Sequence, residues 1–105
     1  MDRVKELQEI LALDPRNSLA RYGLAMEMVK QGETGAAMEA FDTLLANDPD
    51  SIAGYQMSAQ TLLDAGRIPE AIERLRAGIG CAARRGNSHA LNEMQNMLDG
   101  METLK

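Results

Sequence analysis

At 105 residues the chain is long enough for one domain and too short for two of ordinary size. Aromatics make up 3% and methionines number 8, so the core must be aliphatic and Met-filled, and methionine tolerates imprecise packing. The net charge of −5 argues against sequence-independent nucleic-acid binding, the lone Cys81 excludes an internal disulfide, and no window approaches the ~20 apolar residues that span a bilayer. The charge is uneven: residues 1–50 carry ten acids and five bases, and residues 51–86 carry three acids and five arginines. The charged start Met1-Asp2-Arg3-Val4-Lys5-Glu6 does not resemble a secretory signal, which predicts a cytoplasmic protein in a reducing compartment.

Period and punctuation predict six helices. The first covers about residues 2–13, with Val4, Leu7 and Leu11 on one stripe and Asp14-Pro15 closing it. The second runs from Ser18, read as its N-cap, to Gln31, with Gly32 as the stop. The third begins near Thr34 and ends at Asn47, before Asp48-Pro49. Ser51 caps a fourth that runs to about Ala65, and Pro69 suits the first turn of the fifth. That fifth helix is predicted to reach Arg85, although Gly78 and Gly80 each cost up to ~1 kcal/mol against alanine in a helix interior. Ser88 caps a sixth helix to about Leu104, with Leu91, Met94, Leu98 and Met101 at helical spacing. No run alternates with period two, so the chain is predicted to be all-α.

Two copies of one 34-residue pattern lie end to end. Pro15, Gly32 and Ala37 recur as Pro49, Gly66 and Ala71, while Ala25, Met28 and Phe41 recur as Ala59, Leu62 and Leu75. Val4, Leu7 and Leu11 extend the lattice upstream, mapping onto Met38, Phe41 and Leu45. Such a period marks stacked helix–turn–helix units, each of which buries its apolar face only against a neighbour.

The pattern resembles the tetratricopeptide repeat, whose motif runs W-x-x-L-G-x-x-Y, then A-x-x-x-F, then P. Ala37-Met38-Glu39-Ala40-Phe41 and Pro49 match its back half, and Ala71-Ile72-Glu73-Arg74-Leu75 is a conservative variant. Arg21 stands where the family often has a large apolar residue, Ser58 where leucine is usual, and Ala83 where the closing proline belongs. The resemblance implies a right-handed stack of antiparallel helix pairs, an α-solenoid of about six helices forming one domain over 1–105. Its parts would be a half-repeat helix (2–14), two repeats (18–51 and 52–85) and a terminal capping helix (88–104).

The resemblance also implies function: the first helix of each unit lines a concave groove that binds a peptide or amphipathic helix of another protein, as an adaptor does. The groove set would be Leu19, Tyr22, Met26, Val29 and Lys30 in the first unit, and Ala53, Gln56, Met57, Gln60, Leu63 and Asp64 in the second, extended by Asn92 and Asn96. Family members that grip acidic C-termini place Lys, Arg and Asn where this chain has Tyr22, Met26 and Met57, so its groove is expected to be neutral and apolar. An alternative is a homo-oligomer, or a weak homodimer, sealed through Met97, Met101 and Leu104 of the last helix. His89 and Cys81 lack the partners of a catalytic or zinc site, and no phosphate-cradling or dinucleotide motif is present, so neither enzyme activity, cofactor nor metal is expected. Arg67, Arg74, Arg76, Arg84 and Arg85 form a modest basic region, expected to be solvated.

Overall fold

A computed structural model describes residues 2–104. Its elements are α1 (Arg3–Leu13), α2 (Ser18–Lys30), α3 (Thr34–Asn47), α4 (Ile52–Asp64), α5 (Ile68–Arg84) and α6 (Ser88–Glu102), with no strand among the described residues. The chain divides into two compact units at Pro49–Asp50, the first holding α1–α3 and the second α4–α6.

Two kinds of punctuation make the joints. Gly32, Gly66 and Gly86 all have positive φ, the left-handed conformation that ends a helix at little cost only for glycine. Each sits in the same paired bonding: Glu33 N–H donates to Met28 O at 2.9 Å and Gly32 N–H to Val29 O at 3.0 Å, with Arg67 on Leu62 and Asn87 on Ala82 repeating the outer bond. The other two joints, Asp14-Pro15 and Asp48-Pro49, end α1 and α3 with a final N–H bond from the aspartate, to Ile10 O and Leu44 O.

Side chains then cap most helix starts. Asp2 accepts from Val4 N–H at 3.0 Å, and Ser51 from Gly54 N–H at 3.1 Å. For α2 and α6 the caps are Asn17 and Asn87, accepting from Ala20 and Ala90, and not the expected Ser18 and Ser88. Each serine is already the first helical residue, where its backbone can no longer take the extended conformation a cap needs. With Ala83 in place of a proline, α5 runs 17 residues against 14 for α3 and stops at Arg84, one residue short of expectation. The cap of α6 therefore follows Ser51 by 36 positions rather than 34.

In the first unit, Leu7 and Leu11 of α1 pack with Ala20 and Leu24 of α2. The α2 and α3 helices close over Ala25, Ala37, Phe41 and Leu44, all fully or almost fully buried. The Tyr22 ring meets Phe41 edge-on, with centroids 6.4 Å apart and planes at 66°. In the second unit Ala59, Leu62, Ala71, Leu75, Cys81, Met94 and Met101 form the core. Burying each large apolar side chain stabilises by roughly 1.5–3 kcal/mol. Gly78 lies where the three helices of this unit converge: a Cβ there would come within 2.7 Å of both Tyr55 Cβ and Met94 Sδ. The glycine that weakens α5 as an isolated helix lets α4 and α6 approach it.

Candidate functional site

On α2 the core claims Ala20 and Ala25, while Tyr22, Met26 and Val29 are half-buried and Leu19 and Lys30 exposed. Tyr22 is divided between roles, since its edge contact with Phe41 ties it to the helix pair. That burial raises its phenol pKa above the ordinary 10.0.

On α4 the expected set turns away from the core residues Gly54, Ser58, Ala59, Thr61 and Leu62. Its buried hydroxyls are satisfied within the helix: Ser58 Oγ donates to Gly54 O at 2.6 Å and Thr61 Oγ1 to Met57 O at 2.8 Å. Gln56, Met57, Gln60 and Leu63 are half-buried, and Ala53 and Asp64 exposed. Gln56 Nε2 donates to Met97 Sδ at 3.9 Å, which ties α4 to α6 along this side. Asn92 and Asn96 stand exposed on α6, and Gln60 Nε2 donates to Asp64 Oδ1 at 2.8 Å, occupying the one acid of the α4 set. The expected set thus presents amides, a thioether and leucine beside the exposed Asp64 carboxylate.

The three residues expected to self-associate do not share one environment. Met101 is 1% exposed and belongs to the core of the second unit, whereas Leu104 is 63% exposed. Met97 is half-buried against Gln56. The buried stripe of α6 is Ala90, Met94, Leu98 and Met101, with Leu91 of the expected stripe half-buried beside it.

Sequence reasoning missed a pair of equivalent clefts, one per repeat. The first, of about 290 Å³, includes Arg21, Met28, Ala36, Glu39, Ala40 and Thr43. The second, of about 410 Å³, is lined by Tyr55, Leu62, Glu70, Glu73, Arg74 and Ala77, the same six positions 34 residues on. Arg21 Nη2 donates to Pro15 O at 2.9 Å, while its buried Nε finds no acceptor among the described residues. A hydrogen bond from Arg67 (Nε to Oε1, 2.8 Å) holds the Glu70 carboxyl below the usual range, and the charges of Arg67 and Arg74 add to it. Charged residues at helical spacing read as solvated surface, which is why these clefts gave no signal.

Cys81 is fully buried in α5. The His89 side chain stands in solvent, its Nε2 2.9 Å from Glu93 Oε1. Arg76 pairs with Glu102 at 2.8 Å. Among the described residues no group of three or more His, Cys, Asp or Glu is placed to hold a metal ion, and no helix is long and apolar enough to cross a membrane.

Several solved structures share this architecture. A tetratricopeptide repeat domain protein from Salinibacter ruber is 29% identical, with a TM-score of 0.81 over 88% of this chain and 93% of that one. The type III secretion chaperone SycD of Yersinia enterocolitica, in complex with a peptide of the translocator YopD, is 21% identical, with a TM-score of 0.86 over 95% of this chain and 77% of that one. The TPR2B domain of yeast Sti1, in complex with pHsp70, is 18% identical, with a TM-score of 0.88 over 97% of this chain and 82% of that one. A search of curated proteins found no match. These likenesses identify the fold as an all-α helical-repeat solenoid. The family model of the tetratricopeptide repeat matches twice, over residues 4–59 and 28–92, and so takes in most of the chain. Repeat period, helix order and that double match agree, and the chain belongs to the tetratricopeptide repeat family.

Proposed function

We propose that the chain, taken as one module over 1–105, is a non-enzymatic protein-interaction module of the cytoplasm that holds a peptide or amphipathic helix of a partner protein. The observation that carries this reading is the neutral face of α4 and α6, tied by the Gln56–Met97 bond and lined by Met57, Gln60, Leu63, Asn92 and Asn96. The outward residues of α2 (Leu19, Tyr22, Met26, Val29 and Lys30) supply a second, more apolar face. Support comes from the family and from SycD and the Sti1 domain, both solved with bound partner segments. A face with thioethers and amides but no cluster of cations suits an apolar or weakly polar segment better than an acidic C-terminus. Because the helices are preformed, binding orders little of the receptor, and an isolated peptide should bind at micromolar level, roughly −8 kcal/mol.

The test is capture from a lysate of the source organism by wild type and by a Met57→Glu/Gln60→Glu/Asn96→Glu variant of unchanged helicity. A protein held by wild type and lost by the variant supports the reading and names the partner. Equal capture by both overturns it for this face.

A further inference from the structure

The methionines among the described residues fall into two classes. Met38, Met94 and Met101 are buried, whereas Met26, Met28, Met57 and Met97 are half-buried. Met97 stands apart from the others. Its sulfur alone accepts a hydrogen bond, from Gln56 Nε2 at 3.9 Å, between α4 and α6 of the second unit. Gln56 is itself half-buried, and its side chain makes no other hydrogen bond among the described residues. A thioether sulfur is a weak acceptor, so this bond meets little of what a primary amide can donate. The place suits a better acceptor, and one chemical step on Met97 supplies it: conversion to the sulfoxide, which puts a polar oxygen on the sulfur.

We propose that Met97 is a reversible oxidation site and that Gln56 is the group that receives its sulfoxide. The oxidant is a hydroperoxide, hydrogen peroxide in the simplest case. A sulfur lone pair attacks one peroxide oxygen, the S–O bond forms as the O–O bond breaks, and the other oxygen leaves as water. Sulfur is oxidised by two electrons, the peroxide is reduced by two, and the chain loses no proton. The rotatable bonds of the methionine side chain turn the new oxygen toward Gln56. That oxygen, about 1.5 Å from the sulfur, can lie about 2.9 Å from Nε2. On the 3.9 Å separation it then closes a triangle with an angle of about 120° at the oxygen, a favourable approach to an acceptor.

The helix itself supplies the selectivity. Met94 and Met101, three residues before Met97 and four after it, are 0% and 1% exposed, so peroxide reaches them only when the unit opens. A sulfoxide in that core would have no donor, whereas at Met97 a donor is already in place and the link from α4 to α6 is kept. The consequence for binding rests on the partner-binding reading above. The oxidised face exchanges an apolar thioether for a dipole and commits the Gln56 amide, so it holds an apolar segment less tightly. A methionine sulfoxide reductase restores it.

The test treats the whole chain with a limited dose of hydrogen peroxide and follows each methionine by peptide mass spectrometry. Met97 should oxidise at least about tenfold faster than Met94 and Met101. The side-chain NH₂ resonances of Gln56 should move downfield in the oxidised chain. Oxidation should leave the melting temperature of wild type in place and lower that of Gln56→Leu, where the sulfoxide has no amide to accept from. The same dose given to Met97→Leu subtracts the effect of the other methionines. Met94 or Met101 oxidising as fast as Met97, unmoved Gln56 resonances, or an equal loss of melting temperature in wild type and Gln56→Leu would each overturn the proposal. None of these readouts involves a partner, so the failure of this site and the failure of the partner-binding reading are distinguishable.

Discussion

In the α2–α3 pair, Leu44 projects from the second helix at the position that Gly78 occupies in α4–α5, and Arg21 stands on the first helix where the other pair has Tyr55. Both repeats close over the same buried alanines, yet they treat the adjoining site in opposite ways. The first repeat fills it with a leucine, 1% exposed, and Arg21 reaches sideways to the Pro15 carbonyl. The second removes the side chain altogether, and Tyr55 Cβ and Met94 Sδ close on the bare backbone. The difference follows from what each second helix must touch within its own unit. α5 packs between α4 and α6, whereas within its own unit α3 packs chiefly on α2. Interior space is scarcer around α5, and glycine is the residue that yields it.

That contrast can be broken first at Leu44. Leu44→Ala should leave a cavity in the first unit and cost about 2–5 kcal/mol in chemical denaturation. The reciprocal change at Gly78 should hurt by overpacking: Gly78→Ala is expected to cost about 1–3 kcal/mol, and Gly78→Leu, which copies the first repeat, more than Gly78→Ala. Truncating Met94 cannot relieve it, because Tyr55 Cβ leaves no shorter side chain to retreat to except glycine. If Gly78→Leu were tolerated as well as Gly78→Ala, the close approach of three helices would be the wrong explanation.

Smaller effects sharpen the comparison. Asn17→Ala and Ser51→Ala remove the repeat-equivalent caps of α2 and α4 and should each cost about 1 kcal/mol, which would show the two repeats alike where their chemistry is alike. Gly80, two residues from Gly78 in the same helix, has only Arg84 Nη1 near its missing Cβ, at 3.6 Å. Gly80→Ala should therefore stabilise by up to ~1 kcal/mol, a sign opposite to its neighbour's. The least change is expected at Glu70. Its carboxyl pKa is lowered, so whatever it contributes is present above the unfolded-state value and fades as pH falls through the folded one. Glu70→Gln should blunt the acid limb of a stability–pH curve and leave the melting temperature at neutral pH nearly unchanged.

Much of this fold was legible because its signals are local. Glycine and proline mark the joints whatever surrounds them, and the 34-residue period marks which helices are equivalent. The caps at Asn17 and Asn87 were misassigned because an adjacent serine carries the same signal one residue later. Gly78 was legible only as a cost, since its benefit lies in Tyr55 and Met94, 23 residues upstream on α4 and 16 downstream on α6. Met101, expected on the apolar stripe and, in the alternative, in a self-association patch, lies in the core, since spacing gives the phase of a stripe but not its width. The charged clefts beside Arg21 and Arg74 could not be found in sequence, where a concave and a convex polar surface read the same.

The joints that close α1 and α3 have one more consequence, and it is covalent. An Asp-Pro peptide bond is unusually labile in acid, because the aspartate carboxylate attacks its own carbonyl carbon while the proline nitrogen accepts a proton. Heating in dilute acid should therefore cut this chain after Asp14 and after Asp48. The released segment, Pro15 to Asp48, is one full period of the lattice: a single helix pair, α2 and α3, that chemistry can excise from the protein without a protease.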